Sequence, residues 1–255
     1  KLRKVADALD ANSWRQEFRQ ALEAKDDNAL LTLAKNARAA VESNEADLLG
    51  DALRARDRAS EAVKLLREAE RTKPGEYWLQ MSLGLSLCAA KPADYLAAAE
   101  CFKSARALET NSAAAANNHA LALMRTGAID RALVAMKDAV ALQDNSSPLH
   151  CNLAVVYNSK SLGDPEAERE ANRAHELDPK YEEAIAVQAL CRLVKGDRKA
   201  SQERLDKLSK THQETTTPLF CRMLLAMTTI PPKEREAAGF ARRVVKIDPR
   251  TEAGL

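Results

Sequence analysis

The chain has 255 residues, of which 45% are hydrophobic, 30% are charged and 4% are aromatic. This hydrophobic content allows a packed core and argues against general disorder. The formal net charge of +2 gives no overall attraction to nucleic acid or to an anionic membrane, so we expect neither as a partner.

Residues that favour helices dominate the sequence. There are only 8 glycines and 9 prolines, and alanine and leucine alternate with glutamate, lysine and arginine, which lose little freedom in a helix. The sequence lacks the clusters of β-branched residues that would indicate a sheet, so the chain is predicted to be all-α. No apolar run reaches the roughly 18 residues of a membrane span. The five scattered cysteines form no C-x-x-C pair, which is typical of reduced thiols and predicts a cytoplasmic protein.

The first part of the chain, residues 1–42, is predicted to be a helical hairpin that caps the repeats after it. Ser13 and Gln16 have the spacing of a capping box, and the helix that they start extends through Ala24. A second helix begins in "DDNALLTLAKNA". The residues expected to form the buried stripe of the first helix are Trp14, Phe18 and Leu22.

From residue 43 onward, a small residue recurs at intervals of 36, 34, 35, 34 and 36 residues. A repeat of this length holds two antiparallel helices and a short turn, and a period of this kind indicates a helical array. The small residues let paired helices approach closely, while Leu66, Phe102 and Met136 are expected to fill the space between repeats. The recurring residues are Ala62, Ala98, Ala132, Ala167, Ser201 and Ala237.

The boundaries of the predicted repeats follow from this period. Prolines at 74, 179 and 249 are expected to stop the second helix of their repeats. The junction around Pro249 repeats the one around Pro179, so we expect the array to continue past Leu255. The predicted repeats are about 43–76, 77–112, 113–146, 147–181, 182–217 and 218–255, the last one truncated.

The pattern of Leu83, Gly84, Ala98 and Phe102 resembles the tetratricopeptide (TPR) family. That resemblance implies a right-handed superhelix of about six helix-turn-helix repeats, with an N-terminal helical hairpin as its cap. It also implies a concave groove lined by the first helix of each repeat.

A narrower resemblance concerns the start of the array. Trp14–Arg15, Pro74, Trp78 and Leu83–Gly84 are arranged as in the TPR regions that follow the kinase domain of certain bacterial serine/threonine protein kinases. None of the kinase signatures occurs in these 255 residues, so we expect any catalytic domain to lie outside this sequence.

The sequence offers no motif for catalysis. It contains no phosphate loop, no H-E-x-x-H and no G-x-S-x-G. The four histidines are far apart, and His119 is expected to be a buried, hydrogen-bonded side chain rather than a metal ligand. A zinc site needs four converging ligands. The chain is therefore predicted to be neither an enzyme nor a metal or cofactor protein.

Two asparagines occupy the same place in the first helices of successive repeats, since Asn152 follows Asn118 by 34 residues. The resemblance places these helices side by side, with axes about 8–10 Å apart. An amide can donate and accept at once, so the two could form a ladder that binds the backbone of an extended peptide. The alternative is that each merely bonds neighbouring backbone or solvent. Asn117 could serve either role.

The rest of the predicted groove is largely neutral and apolar. Such a stripe could instead be internal core, or be covered by a partner helix or a second copy of the chain. Our leading hypothesis is a protein-interaction module that binds a peptide or helix in the groove, as the scaffold or regulatory arm of a bacterial kinase. The alternative is a structural or dimerisation arm without a peptide ligand. The predicted groove residues, besides the three asparagines, are Trp78, Met81, Leu85, Leu121, Met124, Arg125, Val155 and Asn158.

Overall fold

The computed structural model describes residues 12–36, 43–210, 212–227 and 233–247. These residues form fourteen α-helices and one short 3-10 helix, with no β-strand among them. The all-α prediction is confirmed. The junction expected at Pro249, and the parts of the predicted cap before residue 12 and after residue 36, lie outside the described residues.

The chain divides into two compact units, Lys1–Ala128 and Ile129–Leu255. The boundary separates the two helices of the predicted repeat 113–146. The helices of the first unit are α1 (Ser13–Ala24), α2 (Asp27–Asn36), α3 (Ser43–Arg54), α4 (Ala59–Thr72), α5 (Tyr77–Ala89), α6 (Tyr95–Leu108) and α7 (Ala113–Arg125).

The second unit has the same alternation of helices and short turns. A 3-10 helix, His212–Glu214, precedes its penultimate helix. The α-helices of this unit are α8 (Ile129–Leu142), α9 (Ser147–Lys160), α10 (Pro165–Leu177), α11 (Glu182–Val194), α12 (Arg198–Leu205), α13 (Thr216–Met227) and α14 (Glu234–Ile247).

Except for α12 and α13, helices that follow one another pack together within each unit, and alternate helices such as α3 and α5, or α9 and α11, also touch. The recurring small residues lie in these contacts, as the period predicted. Five of them are fully buried, and Ala237 is 5% exposed. Pro74 and Pro179 follow α4 and α10 by two residues, which agrees with their predicted role as helix stops.

Glycines in α3 and α5 create space for a large side chain of the next helix. A Cβ atom on Gly84 would stand 2.6 Å from Cε1 of Phe102, and one on Gly50 would stand 2.9 Å from Cδ1 of Leu66. Phe102 and Leu66 are themselves fully buried. The two side chains therefore fill space inside their own helical hairpins, and not only between repeats as we expected.

The start of α1 differs from the prediction. The capping residue is Asn12 rather than Ser13, and its side chain accepts a hydrogen bond from the backbone N–H of Arg15 at 3.2 Å. The predicted capping box at Ser13 and Gln16 is therefore wrong by one residue. Asn12 also donates to Glu45 Oε1 at 3.0 Å, a contact with α3 that no local pattern reveals.

The predicted stripe of α1 is only partly buried. Phe18 is buried, whereas Trp14 and Leu22 are half-buried. Trp14 stacks on Phe18 with ring centroids 5.2 Å apart, so the two aromatic residues still form one packed pair.

Buried polar contacts fix the N-terminal half of α9 against α10. Nδ1 of His150 lies 2.6 Å from Oε2 of Glu170, and its Nε2 lies 2.8 Å from the carbonyl oxygen of Asp144. Ser147 Oγ donates to the carbonyl oxygen of Ala174 at 2.8 Å. These bonds hold the N-terminal half of α9 against α10 and against the turn that precedes α9. They thereby also position the residues in the later turns of α9.

The tight contact at Gly84 generates a prediction about stability. We expect Gly84→Ala to lower the free energy of unfolding by about 1–3 kcal/mol through overpacking against the Phe102 ring. This loss should exceed the gain of about 1 kcal/mol that alanine brings as a better helix former. Urea unfolding followed by circular dichroism measures the difference.

Gly239 in α14 provides the matched control, because a Cβ atom there would meet nothing within 4 Å. Gly239→Ala should leave stability unchanged or raise it by up to about 1 kcal/mol. Equal effects of the two substitutions would show that the Phe102 ring does not limit the space at Gly84.

Candidate interaction site

The predicted groove residues of α5 differ widely in exposure. Trp78 is 65% exposed and makes an edge contact with Tyr77, with ring centroids 4.9 Å apart. Met81 is buried, so its side chain forms part of the core, and Leu85 is half-buried. Of these three residues, Trp78 offers the most surface to a ligand.

The predicted groove residues of α7 are all half-buried, and the neighbouring asparagines bond to each other. Nδ2 of Asn117 donates to Oδ1 of Asn118 at 3.1 Å, which orients both amides on the helix surface. Arg125 lies over the ring of Tyr95, 5.3 Å from its centroid. The remaining members of this set are Leu121 and Met124.

The predicted ladder joins residues of different compact units. Asn118 belongs to the first unit, whereas Asn152, half-buried on α9, belongs to the second. The ladder therefore stays a prediction. His119, next to Asn118, is buried and lies 3.1 Å from the guanidinium of Arg106, in agreement with its predicted role as a hydrogen-bonded core residue.

The second unit contains a cavity of about 600 Å³, here named the apolar cavity. Val155 and Asn158, both predicted groove residues, line one side of it, whereas Asn152 does not line it. The other walls come from α11, α13, α14 and the turn after α9. The further lining residues are Ser159, Leu162, Val187, Leu190, Thr216, Thr217, Phe220 and Val244.

Three of the four polar residues that line this cavity make side-chain hydrogen bonds within the unit. Thr217 Oγ1 donates to Glu183 Oε1 at 2.8 Å, and Ser159 Oγ donates to the carbonyl oxygen of Val155 at 2.9 Å. Oδ1 of Asn158 accepts from the backbone N–H of Gly163 at 3.2 Å. Because these groups are satisfied internally, the cavity offers a ligand mainly apolar contact.

A tight turn positions the outer edge of the cavity. Gly163 has a φ of +86°, in the left-handed region that glycine adopts without strain. A Cβ atom at Gly163 would also stand 2.6 Å from Cγ1 of Val194, so the turn packs closely on the end of α11. The preceding residue, Leu162, is half exposed and lies at the cavity.

A carboxylate lies beside the cavity at the start of α11. Glu183 accepts the hydrogen bond from Thr217, and its Oε2 lies 3.0 Å from Nε2 of His212. No three histidine, cysteine, aspartate or glutamate side chains are grouped as metal ligands in the part of the chain that the structure describes.

Sequence reasoning ended the groove at α9 and missed most of this cavity. Val187 and Leu190 lie 35 residues after Asn152 and Val155, so extending the period by one repeat would have found them. Phe220 was missed because the period is degraded in the last repeat. Val244 was missed because it lies on a second helix, and only first helices were expected to line the groove.

Comparison with solved structures identifies the fold. A tetratricopeptide repeat protein from Parabacteroides merdae superposes with a TM-score of 0.73 at 12% sequence identity, over 94% of this chain and 95% of that one. TTC0263, a TPR protein of Thermus thermophilus, gives a TM-score of 0.54 at 20% identity, over 80% of this chain and 99% of that one. The chain thus has the all-α helical-repeat fold of TPR proteins, as predicted.

A third similar structure is YrrB, described as a TPR protein with an unusual peptide-binding site. It gives a TM-score of 0.51 at 15% identity, over 85% of this chain and 97% of that one. No protein-family model matches the sequence, and no curated protein is significantly similar to it. Within the described segments, no helix combines the length and apolar character needed to cross a membrane.

Each of the helices α9, α11 and α13 also carries one buried cysteine. Burial, followed by the nearby Glu183 and Cys191, raises the pKa of Cys151, and burial also raises the pKa of Cys191 and Cys221. These thiols therefore stay protonated and unreactive at neutral pH.

We accordingly expect a thiol reagent at about pH 8 to modify these three cysteines only as fast as the second unit opens. Cys88, which is half-buried in the first unit, should react first. Peptide mapping by mass spectrometry after timed quenching measures each rate. In urea all five should react alike, and equally fast native labelling of Cys151 would contradict its burial.

Proposed function

We propose that the protein is a protein-interaction module that binds an apolar side chain of a peptide or helical partner in the apolar cavity. The observation that carries this proposal is the cavity itself, whose volume of about 600 Å³ lies within the range of about 300–1,000 Å³ typical of ligand pockets. Val155 and Phe220 are half-buried, so part of its apolar wall is open to a partner.

The hydrogen bonding around the cavity favours a helical partner. An extended peptide would need new bonds for its backbone N–H and C=O groups where it enters. Asn158, Ser159 and Thr217 already make internal bonds, so they compete poorly for that role. A helix satisfies its own backbone and inserts only side chains, as in helix-in-groove recognition.

Two more specific parts of the proposal rest on sequence patterns. Asn118 and Asn152 stay proposed contacts for the backbone of an extended peptide, and the double alanine variant tests them in the binding assay described next. The role as the arm of a bacterial serine/threonine kinase is supported only by the resemblance around Trp14–Arg15 and Pro74–Gly84.

Selection from a library of random peptides tests the proposal without a known ligand. The selected peptides should share a large apolar residue, and Val155→Glu should weaken their binding about tenfold or more, because a carboxylate would enter the apolar cavity. Titration by fluorescence anisotropy with a selected peptide measures the change.

Val134→Glu is the matched control, since Val134 lies on α8 with 63% exposure and does not line the cavity. It should leave affinity unchanged. Binding in the cavity would be refuted if both variants lost affinity equally, or if neither lost affinity.

Light scattering during size-exclusion chromatography tests the alternative of a dimerisation arm. The proposal predicts a mass near the 27.9 kDa of one chain at all concentrations. A dimer that Val155→Glu converts to monomer would instead assign the cavity to a second copy of the chain.

A further inference from the structure

A second, smaller cavity of about 300 Å³ lies among the residues of α12, α13 and α14, and its lining is strongly basic. It contains four cations and one carboxylate, an excess of three positive charges, in a chain whose net charge is only +2. We name it the basic cavity. Its charged residues are Arg198, Lys199, Arg222, Lys233 and Glu236.

The positive charge of this cavity is only partly compensated. Nη2 of Arg222 lies 3.7 Å from Oδ1 of Asp206, and Nζ of Lys233 lies 3.5 Å from Oε2 of Glu236. Both separations exceed the 2.7–2.9 Å of a charge-assisted hydrogen bond. Lys199 is exposed, and its side chain makes no ion pair among the residues that the structure describes. With Asp206 included, an excess of two positive charges remains.

Hydrogen bonds to the backbone of α13 position two of the residues that carry these cations. Arg198 Nη2 donates to the carbonyl oxygen of Leu225 at 2.7 Å, and the N–H of Lys233 donates to that of Ala226 at 3.0 Å. Two carbonyl oxygens in the last turn of α13 thereby accept hydrogen bonds. The N-terminus of α12 is capped by Asp197, which accepts from the backbone N–H of Ala200 at 3.0 Å, so the positive charge of the cavity comes from the side chains.

We propose that the basic cavity binds a phosphoryl group, such as that of a phosphate monoester. A phosphate monoester carries a charge of about −1.5 to −2 at pH 7, which matches the excess of two to three, whereas a carboxylate brings a single charge. Its three terminal oxygens can also accept from a guanidinium and an ammonium group at once. The side chain of Arg222 is only 20% exposed, so an anion beside it would meet a partly desolvated cation.

This site is separate from the apolar cavity. Phe220 lines the apolar cavity and Arg222 the basic one, and two positions along a helix are about 200° apart at 3.6 residues per turn. The two cavities therefore lie on different faces of α13, and the proposal does not depend on the proposed function.

Titration with inorganic phosphate, followed by backbone amide NMR shifts, tests the proposal. Saturable shifts are expected in residues 198–202 and 222–226, beyond those caused by sodium chloride at equal ionic strength. Lys199→Gln should weaken binding about fivefold. Lys180→Gln, which removes an exposed charge elsewhere in the second unit, should change it less than about twofold.

Further titrations distinguish the source and the charge of the ligand. Phosphoserine should bind where serine does not, and tighter binding than inorganic phosphate would favour a phosphorylated partner over the free ion. Lowering the pH from about 7.5 to 5 should weaken phosphoserine binding, because its second pKa is about 6, and should leave sulfate binding less affected. Absence of saturable shifts in these residues, or equal loss in Lys199→Gln and Lys180→Gln, would overturn the proposal.

Discussion

The close approach of paired helices is the constraint on which the rest of the structure depends. The recurring position holds alanine or serine with almost no exposed surface, and glycines in α3 and α5 lie against Leu66 and Phe102 of the next helix. The space that these small residues leave is filled at once by Leu66 or Phe102. At this packing density, an added methyl group would press against a neighbouring side chain that has no room to move.

Open space in the second unit is found beside α13. The apolar and basic cavities both lie where a face of this helix meets other helices. One face, which carries Phe220, borders an apolar space, and the other, which carries Arg222, borders a basic one. A single helix thus gives the unit two surfaces of different chemistry.

The sequence predicted the helical class and the buried small positions because both recur at a fixed period. It could not predict the Asn12 cap, because the competing choice, Ser13, is equally suitable locally and the contact that favours Asn12 comes from Glu45 in another helix. Of the residues that line the apolar cavity, Val155 and Asn158 were among those predicted for the groove. The position of Val244 at the cavity could not be predicted, because it depends on how α14 packs against the other helices, and the spacing of residues within one helix does not determine this.

Contacts between helices that are close in sequence also affect how the chain folds. Within each unit the helices pack against the next helix or the one after it. Such contacts join residues close in sequence, so forming them loses little loop-closure entropy. A hairpin such as α5 and α6 can therefore assemble during synthesis as soon as both helices have emerged, without waiting for any distant part of the chain.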